Sequence, residues 1–405
     1  MRQLRWLLLI VCASSLNAFE LEDFLDRTDE SFRVSVLGDN VRARVSGTLD
    51  LEFYHFDAPS PGLIDSSSDT LFNPRLTLFL DSQVGPAIYF FAQARVDRHF
   101  DPTNRGAQVR LDEYAVRVTP WTDGRVSLQA GKFATVIGRW VQRHLSWDNP
   151  FLNAPLIYEN ITAIEDRAAP AFTADFDPEL ADAKYEYNPT VWGPDYSTGV
   201  SVSGQLGQFD YAVELKNSAL AARPESWDAT RVGFDRPTVS GRLGYRPNEM
   251  WTFGLFASRG PYFQDEAAPT LPRGRGLGDC DEILVGQDVT FEWHHVQLWA
   301  EFHEVRFEVP RVGDADLFGY FLEAKYKITP QLFAALRWNQ QLFDTVPNGR
   351  GGSIPWGHDA WRVDQALGYR FTPHTQLKLQ YDLEHDDNAR HGYGHLFAAQ
   401  LTVRF

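Results

Sequence analysis

Period-two alternation of apolar and polar residues, sustained over long segments and repeated down the whole chain, is the feature that most narrows the fold. In "VRARVSGTLDLEF", Val41, Ala43, Val45, Leu49, Leu51 and Phe53 fall on one face. Arg42, Arg44, Ser46, Thr48, Asp50 and Glu52 fall on the other. Such a run is long for a strand packed on a finite soluble core, where about 5–6 residues is usual, but suits one tilted through a bilayer. The chain ends the same way. In "GHLFAAQLTVRF", Phe397, Ala399, Leu401, Val403 and Phe405 share a face. A bulky aromatic at the free carboxylate suits a closing barrel strand that meets the membrane interface.

Comparable runs recur at Leu71–Leu80, Ile88–Phe100, Gln108–Thr119 and Arg125–Thr135, then at Thr198–Gly207, Gln208–Asn217, Pro237–Tyr245, Trp251–Tyr262 and Ile283–Glu292. The last are His294–Glu308, Asp316–Ile328, Leu332–Phe343, Trp361–Phe371, Gln376–His385 and His395–Phe405. The total is about sixteen, an even number as in bacterial outer-membrane barrels. Short turn-rich connections ("SQVGPA", "TPWTDGR", "GQLGQF", "YRPNEM", "EWHHV", "ITPQL", "FTPHTQ") alternate with long ones such as Asp57–Thr70, Lys216–Arg236, Phe263–Glu282 and Asp344–Ala360. A barrel produces that rhythm, with tight periplasmic turns and long outer loops; a sandwich has no reason to. Tyr245, Trp251, Trp293, Tyr326, Phe371 and Phe405 all fall on the outward face beside short turns, as an interfacial girdle would. The expectation is a transmembrane antiparallel β-barrel over residues 41–405, with Val41–Phe56 paired to His395–Phe405. Lipid bilayer and lipopolysaccharide are the surroundings such a barrel implies, in the outer membrane of a Gram-negative-type bacterium.

The compartment is set by the first residues. Arg2 and Arg5 precede a short apolar run, and cleavage after Ala18 gives a secretory signal over residues 1–18. Leu16 is an unfavourable residue near that cleavage point, and Val11 argues against lipidation of Cys12. Residues 19–40 read as a periplasmic segment, a short acidic helix followed by a hairpin arm. Loss of the signal leaves Cys280 as the single cysteine, in the loop-like "GLGDCDE", where a surface thiol is expected. The net charge of -16 argues against nucleic acid as a partner. "EWHHVQLWAEFHE" lacks metal-ligand spacing, and no nucleophile–base constellation or phosphate-binding loop stands out; no enzyme activity, metal or cofactor is expected.

Residues 136–197 break the alternation. Within them, "GRWVQRHLSWDNPFLNAPLIYENI" interleaves Arg139, Arg143, His144, Asp148, Asn149, Glu159 and Asn160 with Trp140, Trp147, Phe151 and Tyr158. Aromatics mixed with hydrogen-bonding groups suit a track for solutes, and equally a loop packed inside a wet barrel. The inward face carries Arg42, Arg44, Arg75, Arg95, Arg117, Arg242, Lys325, Arg337, Arg362 and Lys378 against Asp50, Glu52, Asp81, Asp97, Glu113, Glu301, Glu323, Asp364 and Asp382. These could set up a transverse field or simply pair across strands.

"LDEYAVRVTPWTDGRVSLQAGKFATVIGRW", with Asp112-Glu113-Tyr114, a short turn, then Gly131-Lys132-Phe133 and Gly138, resembles a hairpin of the phosphate-selective porin family. That resemblance covers about thirty residues besides the strand count. It implies a diffusion channel, trimeric in the family, whose third outer loop folds into the lumen. On that footing the function expected is a porin passing small hydrophilic or ionic solutes. The alternatives are a selective barrel transporter for an acidic polysaccharide or aromatic acid and, further off, a barrel hydrolase. The expected pore-lining and constriction residues are Arg95, Arg117, Arg139, Arg143, Asp148, Glu159, Arg242, Glu323, Arg337 and Lys378. Phe405 resembles the terminal signal read by barrel-insertion machinery. The lysines Lys132, Lys184, Lys216, Lys325, Lys327 and Lys378 are scattered, unlike the family's lysine cluster, so phosphate selectivity is not expected.

Overall fold

The computed structural model describes residues 22–38, 40–57, 60–64, 66, 68–97, 108–176, 186–223, 233–387 and 392–405; the signal segment and Lys184 lie outside them. Sixteen of the described strands close into one antiparallel barrel. In chain order they are β1 (Val41–Phe56), β2 (Thr70–Val84), β3 (Ile88–Asp97), β4 (Gln108–Val118), β5 (Ser127–Phe133), β6 (Ser197–Leu206), β7 (Phe209–Lys216) and β8 (Thr238–Tyr245). Then come β9 (Trp251–Pro261), β10 (Asp281–Trp293), β11 (Val296–Val309), β12 (Gly313–Lys327), β13 (Leu332–Phe343), β14 (Ala360–Arg370), β15 (Thr375–Asp386) and β16 (Tyr393–Arg404). Each pairs with its chain neighbours, and β1 closes on β16 in the register Thr48↔Arg404 to Phe56↔Leu396. Closure leaves no unpaired edge, which a bilayer would not tolerate.

The outward faces follow the alternation. Phe53, Leu243, Leu255, Leu322, Leu336, Leu367 and Leu379 are exposed, a continuous apolar surface that a membrane, not water, would cover. Tyr245, Trp293, Tyr326 and Phe371 are exposed beside the short turns. A second ring lies further up the strands: Trp338 stacks on Trp361 at 5.4 Å, Phe302 on Tyr320 at 5.8 Å, and the Trp338 indole N–H donates to the Tyr320 hydroxyl. Sequence reading found only the first ring, because the second mixes aromatics with Gln340 and histidines.

Two features depart from simple alternation. Above the apolar band on β9–β12 the faces exchange character. Leu284, Val305, Phe307, Leu317 and Phe321 are buried inside, while Arg306 pairs with Asp316 on the outer surface at 2.7 Å. Strands that rise past the bilayer meet water outside and packed protein inside, so polarity inverts. Between Gln93 and Ala94 the β3–β4 register slips by a bulge. The bulge sets Gln93 opposite Glu113 and Ala94 opposite Leu111, leaving Asp112 as the extra residue; Asp112 is buried and ion-paired to Arg95 and Arg110.

Residues 22–31 form a helix, followed by the strand Arg33–Val36 paired with Val41–Arg44. Asp29 pairs with Arg44 at 2.7 Å and Asp26 with His374 at 2.8 Å, which fixes the helix beside the short-turn mouth. Cys280 is fully buried in the interior cluster, correcting the expected surface thiol. The cause is its place at the long-loop end of β10, where Tyr262 donates its backbone N–H to the Cys280 carbonyl and draws the loop inward.

Candidate functional site: the inserted loop and lumen wall

The described residues between β5 and β6, 134–176 and 186–196, run inside the barrel. This loop is pinned at its base by Lys216, fully buried on β7, whose ammonium donates to the Phe133 carbonyl at 2.7 Å and the Asp195 carbonyl at 3.0 Å. Its described residues carry short 3-10 turns at Val141–Arg143, Leu156–Tyr158 and Thr173–Asp175, and a small strand pair of Ile161–Ile164 with Asn188–Pro189. Its aromatics pack into the barrel: Trp140 lies 4.6 Å from Tyr158, and Ile137, Trp140, Ile157 and Tyr158 join Phe256, Val305 and Phe321 of the wall. On the opposite side Leu152 packs with Tyr54, Phe56, Leu71 and Leu396.

A loop without a ladder must satisfy its backbone through side chains, and wall residues do this. Glu301 on β11 accepts from the backbone N–H groups of Arg139 and Trp140, both at 2.6 Å, and from the Tyr158 hydroxyl at 2.5 Å. Lys378 on β15 donates to the carbonyls of Ser146, Asn149 and Phe151 at 2.8, 3.0 and 3.4 Å. Arg337 on β13 donates to the Asn153 and Ala154 carbonyls, and Asn339 accepts from the Leu156 N–H.

Charges alternate along one continuous chain. Arg143 meets Glu323 at 2.5 Å, Glu323 lies 3.8 Å from Arg337, and Arg337 meets Asp364 at 2.5 Å. Asp364 meets Arg362 at 2.7 Å, and Arg362 returns to Glu159 of the loop at 2.6 Å. All these side chains are buried or nearly so, which makes each pair dependent on its neighbours. A second cluster sets Arg242 against Asp288 at 2.7 Å and Asp210 at 2.6 Å, with Arg139 3.6 Å from Asp288.

A third group lies on β1–β4. Arg75 pairs with Glu52 at 2.6 Å, and Arg95 with Asp112 at 3.1 Å and Asp97 at 3.3 Å. Arg75 and Arg95 keep 14% and 19% of their side-chain surface in water, whereas Arg337 keeps none. His144, whose Nδ1 lies against the Val141 carbonyl and Nε2 against the Tyr196 hydroxyl, joins the loop to this side through Gln93. Burial holds its imidazole down at about 4, so it is neutral: Nδ1–H donates to Val141 and Nε2 accepts from Tyr196.

Among the ten residues picked out by sequence, Arg143, Glu159, Glu323 and Arg337 meet in the one chain, and Arg139 and Arg242 in the second cluster. Lys378 holds the loop backbone. Arg95 lies across on β3. Asp148 is exposed on the loop. Arg117 is not brought to the loop: it donates to Gln129 at 3.0 Å and lies over the Tyr89 and Phe91 rings. Sequence reading missed Asp210, Asp288, Asp112, Arg110 and Asn153. Asp112 carried a signal, since two consecutive acids in a lipid-tilted strand force a bulge or a charge into the bilayer.

No family model matches the chain, and no curated protein matches it in sequence. Solved structures do match in fold. The anion-selective porin of Comamonas acidovorans is 11% identical, with 90% of this chain and 100% of that one covered and a TM-score of 0.55. The outer-membrane channel DcaP of Acinetobacter baumannii is also 11% identical, covering 92% and 99%, with a TM-score of 0.55. The trimer form of OmpT, an outer membrane protein of Vibrio cholerae, is 9% identical, covering 91% and 100%, with a TM-score of 0.54. The architecture is therefore the outer-membrane porin fold.

Proposed function

We propose that this chain is an outer-membrane channel through which small hydrophilic or ionic solutes diffuse passively, with residues 136–197 as its constriction. The observation that carries the reading is a loop inside the lumen moored to the wall by buried charge; the space it leaves is taken as a narrowed aqueous path with charged walls. In such a gap, flanked by low-dielectric protein, a fixed charge acts on a passing ion more strongly than in bulk water. Arg95, Arg117, Arg139 and Asp148 are assigned to the path; Arg143, Glu159, Arg242, Glu323, Arg337 and Lys378 hold the loop and wall that define it. Because acids and bases are paired along the wall, selectivity between anions and cations is modest. The resemblance to phosphate-selective porins is not extended to phosphate, since the family's lysine cluster has no counterpart here. Three copies associating side by side is the oligomer the reading favours, in keeping with the trimer form of one fold neighbour.

Planar-bilayer recording tests the reading. The intact protein should give stepwise ohmic channels, and a variant with residues 140–190 replaced by a short Gly-Ser linker should give larger steps. Absence of channels from correctly folded protein would overturn the function; equal steps in both would overturn the constriction.

A further inference from the structure

We propose that the long-loop mouth of the barrel carries a binding site for an organic cation, an ammonium group joined to an apolar body. The site is a cavity of about 460 Å³ walled by Phe176, Tyr187, Tyr262 and Phe263 and edged by Glu165 and Asp175. It lies where the outer part of the inserted loop meets the tops of β9 and β11, away from the charged network at the constriction. Its volume falls within the usual range for small-molecule sites, roughly 300–1,000 Å³.

The aromatic walls are fixed before any ligand arrives. Tyr262 and Phe263 stand 4.3 Å apart, Tyr262 meets the edge of Phe307, and Phe176 stacks on Trp356 at 5.9 Å. All four rings are buried, so ordering them costs a ligand nothing. Alanines of the loop supply most of the remaining lining and leave the space open.

The charged side chains among the described residues that line the cavity are both carboxylates. Among the described residues no lysine, arginine or histidine lines it. Asp175 accepts the Phe172 backbone N–H. Glu165 has neither ion pair nor side-chain hydrogen bond to any described residue, and burial, with Glu186 and Asp166 nearby, pushes its carboxyl up against the weaker opposing pull of Arg223 and Arg167. Asp166 is answered by Arg223 at 2.7 Å. Arg311, at the rim, spends its guanidinium on the carbonyls of Pro170 and Thr270. An anion would meet two carboxylates, and a neutral aromatic would leave Glu165 desolvated without a partner. A cation with an apolar body satisfies the carboxylate and the electron-rich ring faces together.

Isothermal titration calorimetry on the full chain in detergent tests this, and does so whether or not the barrel conducts. Benzyltrimethylammonium should bind, tetramethylammonium should bind at least about tenfold more weakly for want of an apolar body, and phenylacetate should not bind. Glu165→Gln should weaken benzyltrimethylammonium by about tenfold. Ala168→Trp, which fills the cavity, should abolish binding while heat-modifiable gel migration shows the barrel intact. Phenylacetate binding as tightly as the cation, no binding of benzyltrimethylammonium, or an unchanged affinity in Glu165→Gln would each overturn the proposal.

Discussion

The Tyr158 hydroxyl of the inserted loop donates to the Glu301 carboxylate of the barrel wall at 2.5 Å, and the same carboxylate takes the backbone N–H groups of Arg139 and Trp140. One wall residue thus fastens both the descending and the returning limb of the loop. Hydrogen bonds to a charged group contribute about 1.5–3 kcal/mol each, and a buried amide left without an acceptor costs about 1–3 kcal/mol. Glu301→Ala removes these three bonds and the contact of the carboxylate with His303 at 3.2 Å, and strands two amides, whereas Tyr158→Phe removes one bond. Loop cleavage by protease and single-channel current noise should therefore rise strongly in Glu301→Ala and mildly in Tyr158→Phe. Indistinguishable behaviour of the two variants would show that the carboxylate is not the latch.

Gly138 lies at that latch with φ of +73°, and a Cβ there would stand 2.3 Å from the Tyr158 hydroxyl and 2.6 Å from a Glu301 oxygen. Both the backbone conformation and the space exclude a side chain. Gly138→Ala should destabilise the seated loop by about 1–3 kcal/mol and reproduce the noise of Glu301→Ala. A quiet, protease-resistant Gly138→Ala channel would contradict the geometry.

Arg95 and Arg337 differ in a way that separates selectivity from support. Arg337 is fully buried and joins Asp364, Asn153 and the loop backbone, so its loss breaks a buried pair, typically about 3–5 kcal/mol. Arg95 keeps contact with water. Arg95→Ala should shift the reversal potential in a salt gradient toward cations with little change in melting temperature. Arg337→Ala should lower the melting temperature and raise conductance. The reverse pattern would exchange their roles.

Much of this architecture was legible because a membrane barrel writes itself as alternation. Every segment that alternated became a strand, and the seam between Val41–Phe56 and the C-terminus followed from pattern alone. What alternation could not supply is where the bilayer stops. On β9–β12 Leu284, Phe307 and Leu317 alternate as well as Leu255 does, yet they face the interior, because the strand continues past the membrane. Cys280 was misjudged for a related reason, since a polar, glycine-rich neighbourhood gives no hint that a tertiary contact buries its one apolar member. Within the loop, the residue types were visible but their partners were not. Arg143 and Glu323 are 180 positions apart, and nothing local couples them.

Phe405 closes the barrel at both the chain's end and the seam's lower end. Its backbone exchanges two hydrogen bonds with Gly47, at 2.9 and 3.0 Å, and its ring lies where a Gly47 side chain would stand, 2.7 Å from that Cβ position. Deleting Phe405 removes those bonds and the outward ring, but nine residue pairs from Thr48↔Arg404 to Phe56↔Leu396 still hold β1 to β16. The finished barrel should therefore lose little stability when refolded in detergent. The aromatic at the carboxylate resembles the terminal signal used in barrel insertion, so the yield in the outer membrane should fall by about tenfold or more, a loss worth only about 1.4 kcal/mol if it were equilibrium stability. Phe405→Trp should retain the yield, and Phe405→Ala should behave like the deletion. Gly47→Val should displace the ring and weaken the seam while leaving the terminal residue to be read. Quantitative immunoblots of outer-membrane fractions, set beside melting temperatures of the same variants refolded in vitro, separate the two effects. A normal membrane yield for the deletion, or a yield loss matched by an equal loss of refolded stability, would assign Phe405 to the seam alone.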